Sequence, residues 1–229
     1  MSDPDRPDPT STEPTPTVDD LALEAAVIAG AGDLGDDEGP ADVAAGVLDR
    51  FAPFRALDLH ADHVFDRLRG NPVADRTFYA LTELGDFGLI WLLLGAARGL
   101  RSDDEAEEFL RLAVALGVES VVVNGALKSM FRRERPVVQE PRPHRLRIPL
   151  TTSFPSGHAS SAMLAATLLG EGRRTLPLYL GLGAWVASTR VYVRIHHASD
   201  VVAGLALGLG LGAVARRAWP GPRSRHRRR

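Results

Sequence analysis

The chain has 229 residues, a length that suits one domain with a sizeable core, and no cysteine, which excludes disulfides, thiolate zinc sites and thiol catalysis. Its formal net charge of -2 conceals two regions of opposite sign. Residues 1–50 hold 13 Asp or Glu against Arg6 and Arg50, whereas the remainder holds 25 basic residues against 16 acids, and every basic residue but Lys128 is an arginine.

Residues 1–42 are rich in Pro, Asp, Thr and Ser and offer too little apolar surface to offset the entropy of ordering, so a disordered acidic tail is expected there. No basic stretch followed by an uninterrupted apolar one precedes residue 80, so no signal peptide is expected. Residues 43–84 have a helical pattern with too many charges to span, and predict amphipathic helices along a membrane surface.

From 85 to 217 the composition changes. Apolar runs occur at Phe87 to Ala97, Leu112 to Leu127, Ala159 to Gly170, Leu176 to Val193 and Val201 to Ala215. Only the fourth approaches the roughly 20 residues that cross a hydrocarbon core, and Glu119, Asn124 and Arg190 interrupt the runs. Buried helices of a soluble domain are one explanation. The glycine density of the last run favours the other, because glycine weakens a helix in water but lets helices approach closely in lipid. The expected fold is therefore all-α, a multi-span transmembrane bundle. Placing the loops at 98–111 and 171–174 and the basic tail 218–229 on one face gives that face an arginine excess, as on the cytoplasmic side. Residues 128–157 and 194–200 then share the opposite, extracytoplasmic face of the cell membrane. The tail's arginines need no nucleic-acid partner.

Those two segments carry the chemistry. Lys128 is followed after six residues by Arg135 and Pro136; "FPSGHASSA" places Ser156, Gly157 and His158 at the start of an apolar run; "STRVYVRIHHASD" supplies Arg190, His196 and Asp200. Three cations and a helix N-terminus suit a phosphate whose oxygens gain charge during transfer. His196 and Asp200 lie four apart, so on one helical turn the carboxylate could fix the imidazole tautomer and make His196 a nucleophile, leaving His158 as general acid and then base. Taken singly, each block has a plainer explanation, such as His196 and Asp200 capping a helix.

The three blocks together, over residues 70–215, resemble the type 2 phosphatidic acid phosphatase and vanadium haloperoxidase superfamily. Its pattern is Lys-x6-Arg-Pro, Pro-Ser-Gly-His and Ser-Arg-x5-His-x3-Asp. Thr189 stands where that pattern has Ser, and keeps the hydroxyl. The resemblance implies a metal-independent and cofactor-free phosphatase acting on a lipid phosphate or polyprenyl diphosphate through a phosphohistidine at His196. It implies the same roles for His158 and Asp200, with Lys128, Arg135, Ser156, Gly157 and Arg190 on the phosphate. A vanadate-dependent haloperoxidase and a non-catalytic membrane module are the alternatives. No specific protein partner is implied. Arg132, Arg133, Arg194 and His197 are expected on a solvated loop face, and His60, His63 and His144 lack metal-ligand spacing.

Overall fold

The computed structural model describes residues 40–138, 142–149 and 151–222, so most of the expected acidic tail and of the basic tail lies outside the described residues. The chain divides into two compact units, Met1–Ala56 and Leu57–Arg229. In the first, residues 40–56 are helical. The second holds the bundle.

Every regular element among the described residues is a helix. Helix α1 covers Pro40–Asp66, α2 Pro72–Gly85, α3 Leu89–Gly99, α4 Asp103–Ser120, α5 Gly157–Leu169, α6 Leu176–Tyr192 and α7 Ala198–Ala218. The starts are written locally. Asn71 accepts from the backbone N–H groups of Val73 and Ala74, with Pro72 at the first helical position, where its missing N–H costs nothing. Ser102 caps α4, whose first turn carries Asp103, Asp104 and Glu105 at the positive end of the helix dipole.

Each apolar run of the sequence lies in a helix, but helices and runs differ in length. Three helical stretches are long and apolar enough to cross a membrane: Pro72–Gly99, Asp103–Met130 and Ala198–Ala218. The first two gain length because α2 and α3 are joined by the tight turn Asp86–Gly88, and α4 continues through a π-helical stretch, Val121–Leu127, into Lys128–Met130. By contrast α6, the run nearest spanning length in the sequence, has only 17 helical residues.

Helix α5 is the hub: Ala159 through Leu169 are all buried, and it packs on α4, α6 and α7. Its small residues let neighbours approach. A methyl group at position 204 or 208 of α7 would overlap the backbone carbonyls of Ser156 and Ser160, and at 212 it would press on Thr167. Trp91, Leu112, Leu116, Leu164 and Leu168 fill the core between α3, α4 and α5. At the far end from Lys128, Arg98 pairs with Glu105 at 2.7 Å and Glu108 at 3.0 Å, and Arg173 joins both carboxylates. Paired charges of this kind are retained where lone ones would be expelled.

Candidate active site

Residues 131–138, 142–149 and 151–156 are not helical, and the Ser153 N–H donating to the Arg133 carbonyl at 2.9 Å ties the last of these segments to the first. The π-helical stretch before them widens the helix by one residue per turn and delivers Lys128 to the bundle interior, where it is buried. Its Nζ donates to Thr151 Oγ1 at 3.3 Å.

A cavity of about 480 Å³ opens here, lined by Lys128, Gly157, His158, Arg190 and His196 among others. The three sequence blocks thus converge on one space. Arg190 is fully buried and donates through Nη1 to Thr82 Oγ1 at 2.7 Å, while its Nε and Nη2 have no hydrogen-bond partner. Arg135 donates from Nη1 to the Ile195 carbonyl at 2.9 Å, the same nitrogen lies 3.4 Å from His196 Nε2, and its Nε is likewise unpartnered. Buried donors without partners are costly, so a cluster of them marks a place built for an anion. Ser156 caps α5, and a side chain at Gly157 would meet Asn124 Oδ1 about 3.0 Å away, so glycine sets the helix start close to the π-helical stretch without displacing Asn124.

His196 and Asp200 meet, but not on one helical turn. His196 precedes the cap position His197, and Asp200 sits in the first turn of α7. The carboxylate Oδ2 lies 3.6 Å from His196 Nδ1 while accepting the His197 backbone N–H at 2.9 Å. One carboxylate thus caps the helix through the His197 N–H and also faces the His196 imidazole. At 3.6 Å that contact is electrostatic rather than a hydrogen bond. The Ser153 hydroxyl bridges it, donating to Asp200 Oδ2 with its oxygen 3.4 Å from His196 Nδ1. Burial holds the His196 pKa down to about 3 against the pull of Asp200, with Arg190 and Arg135 adding to the depression, so the ring is neutral over the ordinary pH range.

The sequence did not disclose Arg133. It belongs not to a solvated loop face but to the site: Nη1 donates to Asp200 Oδ1 at 2.6 Å and to Ser199 Oγ at 2.8 Å, and Nη2 to Asp58 Oδ2 at 2.7 Å. Arg194 pairs with Asp66 at 2.6 Å in a partly exposed contact, and His197 is the α7 cap residue. Asp86, Glu119 and Arg147 line the cavity too, and no spacing rule points to them. The Thr189 hydroxyl donates to the Val186 carbonyl of its own helix at 2.7 Å, which explains why threonine serves there. His144 stacks edge-on against Tyr79. Among the described residues, no three His, Asp or Glu side chains gather as a metal site would require.

An anion cradle with two histidines, sunk among apolar helices, defines a membrane phosphohydrolase. Residues 108–223 match the model of the PAP2 superfamily, and the chain belongs to that family. It is 32% identical over 143 residues to the decaprenylphosphoryl-5-phosphoribose phosphatase of Mycobacterium tuberculosis (strain CDC 1551 / Oshkosh), covering 60% of this chain and 76% of that one. Among solved structures it resembles LpxE of Aquifex aeolicus, with a TM-score of 0.57 and 25% identity, covering 69% of this chain and 94% of that one. In fold it also resembles a transmembrane PAP2 type phosphatidylglycerolphosphate phosphatase from Bacillus subtilis, with a TM-score of 0.50, 23% identity and coverage of 75% and 94%. This chain is a membrane lipid phosphatase.

Proposed function

We propose that the enzyme removes a terminal phosphate from a lipid without a metal ion, in two displacements at His196. Neutral His196 attacks phosphorus through Nε2 and the P–O bond breaks. His158 protonates the departing alcohol, then takes a proton from the water that cleaves the phosphohistidine. Asp200 holds the imidazole tautomer, and Lys128, Arg135, Arg190 and the start of α5 at Ser156 and Gly157 neutralise the transferring phosphoryl group. The observation that carries this reading is the pair of unpartnered Arg190 nitrogens in a cavity flanked by both histidines.

Polar groups beside the cradle refine the substrate. Glu119, Ser120, Asn124 and Ser161 line the same cavity and suit the hydroxyl groups of a sugar or glycerol placed between phosphate and lipid chain. The mycobacterial relative is named for such a phosphoribose, and a polyprenyl sugar phosphate is the reading we favour over a phosphate joined directly to the lipid chain. The protein is multi-pass, the cavity opens on the extracytoplasmic side, and α1 lies along the surface. Phosphate release by detergent-purified protein, with EDTA present, tests the reading. Comparable kcat/KM for a polyprenyl sugar phosphate and for phosphatidic acid would remove the refinement, and silence towards every phosphate ester would remove the whole.

A further inference from the structure

Outside the three sequence blocks, one carboxylate faces the second histidine. Asp86 Oδ1 lies 3.0 Å from His158 Nε2, inside the cavity that also holds Lys128, Arg190 and His196. Although close, the oxygen lies off the N–H direction, and His158 Nε2 has no aligned hydrogen-bond partner. The ring's backbone partner is Thr82. Nε2 is thus beside a negative charge while its bonding direction remains for another atom.

The backbone that brings Asp86 there is not ordinary helix. Asp86 lies in the three-residue turn between α2 and α3, where Phe87 adopts φ 54 and Gly88 φ 70. A left-handed phenylalanine is strained, and such strain persists only where the surroundings impose it. Gly85 adds a second constraint, since a methyl there would come 2.9 Å from His158 Cδ2. The turn, the glycine and the carboxylate all abut one imidazole.

Resting on the phosphatase reading above, we infer that Asp86 is a positioning residue for His158, holding the imidazolium that protonates the leaving alcohol. The cavity makes this necessary. Arg190 puts positive charge beside His158 and disfavours a second cation on the ring, and Lys128 and Arg147 line the same cavity; of the acids that line the space, Asp86 is at ion-pair distance from His158 and Glu119 neighbours Lys128. In the first displacement Nε2–H gives its proton to the alkoxide as the P–O bond breaks, and His158 becomes neutral. In the second, Nε2 removes a proton from water as its oxygen bonds phosphorus and the P–N bond breaks. The imidazolium is thereby restored beside Asp86, ready for the next turnover.

The dependence of rate on the leaving group reads this role. Full-length wild type and Asp86→Asn are compared by kcat/KM, which covers steps up to loss of the alcohol, on p-nitrophenyl phosphate and on a short-chain alkyl phosphate. The expected loss in Asp86→Asn is about a hundredfold on the alkyl ester, whose alkoxide needs a proton, and under about threefold on the nitrophenyl ester, which departs without one. Equal losses on both, or none, would overturn the assignment to Asp86 while wild-type activity leaves the phosphatase reading intact. Inactive wild type would instead remove that reading. If Asp86→Asn fails to accumulate, Asp86→Glu keeps the charge and is expected to show the same selective, smaller loss on the alkyl ester; an equal loss on both esters counts against the role.

Discussion

Arg133 Nη1 donates to Asp200 Oδ1 at 2.6 Å, while Nη2 of the same guanidinium donates to Asp58 Oδ2 at 2.7 Å. The carboxylate that faces His196 is therefore fixed from behind by a chain reaching α1, well before the segment that matches the family model. A planar fork with two parallel-facing donors suits this; an ammonium does not. Arg133→Lys should lower kcat about tenfold with KM nearly unchanged, and Arg133→Ala up to about a hundredfold, in line with roughly 1.5–3 kcal/mol for a hydrogen bond between charged groups. Asp58→Asn should act through the same link, so the double variant should lose less than the product of the single losses. Strictly multiplicative losses would separate Asp58 from the site.

Replacing His196 by Ala should bring turnover to background while the protein still folds. Brief incubation of wild type with labelled substrate, followed by alkaline quench, should trap a labelled protein that acid destroys. Absence of label from wild type under single-turnover conditions, with phosphate still released, would point to direct attack by water.

Stability should also respond to pH through His196. Its folded pKa of about 3 lies below the usual histidine value, so between these limits the unfolded chain binds more protons than the folded one. The contribution of the neutral ring is thus present above pH 6.5 or so and is lost as pH falls towards 3. Thermal midpoints in detergent should drop between pH 7.5 and 5, and the drop should be smaller in His196→Ala. A variant whose midpoint falls as steeply as wild type would show that other groups set the slope.

Lys128 is the chain's single lysine, and its amine is buried against Thr151. Arg190 leaves Nε and Nη2 without partners beside the same cavity, and Arg135 sets Nη1 3.4 Å from His196 Nε2. On the proposed reading, an ammonium on a flexible stem would reach one phosphate oxygen where a third, bulkier planar guanidinium would fit less well. Lys128→Ala should cost about tenfold to a hundredfold in kcat/KM. Lys128→Arg should lose most activity too, with expression and melting point near wild type. A fully active Lys128→Arg would mean that the position requires charge alone.

Helix contact offers a cleaner structural test. Gly204→Ala forces a methyl against the Ser156 carbonyl at the cap of α5, whereas Gly210 on the same helix has open space beside it. The first substitution should lower the melting point by several degrees and impair turnover, since Ser156 starts the helix that carries His158. Gly210→Ala should be neutral or slightly stabilising, through higher helix propensity.

The contrast between what the sequence disclosed and what it did not has a physical origin. Lys128, Arg135, His158, Arg190 and His196 stood out in the sequence because phosphate chemistry restricts both residue type and spacing, and the apolar runs stood out because the helices of a bundle need long apolar faces. Arg133 and Asp86 did not. Each touches a candidate catalytic side chain through a contact made across distant segments, Asp58 to Arg133 to Asp200 in one case and the Asp86–Gly88 turn to α5 in the other, and no local period encodes such a contact. Helix extents were missed for a related reason: Glu119 and Asn124 interrupt the hydropathy of α4 and its π-helical extension, yet both line the cavity instead of facing lipid.

The turn at Asp86–Gly88 interrupts a stretch, Pro72–Gly99, that is otherwise apolar and long enough to cross a bilayer. Backbone outside a helix is tolerated at such depth only where protein buries it or a wet cavity receives it. Gly88 is buried and Asp86 lines the cavity, whereas Phe87 is 80% exposed. The break thus turns the backbone of this long stretch against the cavity wall at Asp86 and Gly88. A hydrolase that takes its ester from hydrocarbon and its water from the aqueous phase has to bring both to one wall, and a kink that sets a carboxylate into a long apolar stretch gives that wall a polar lining.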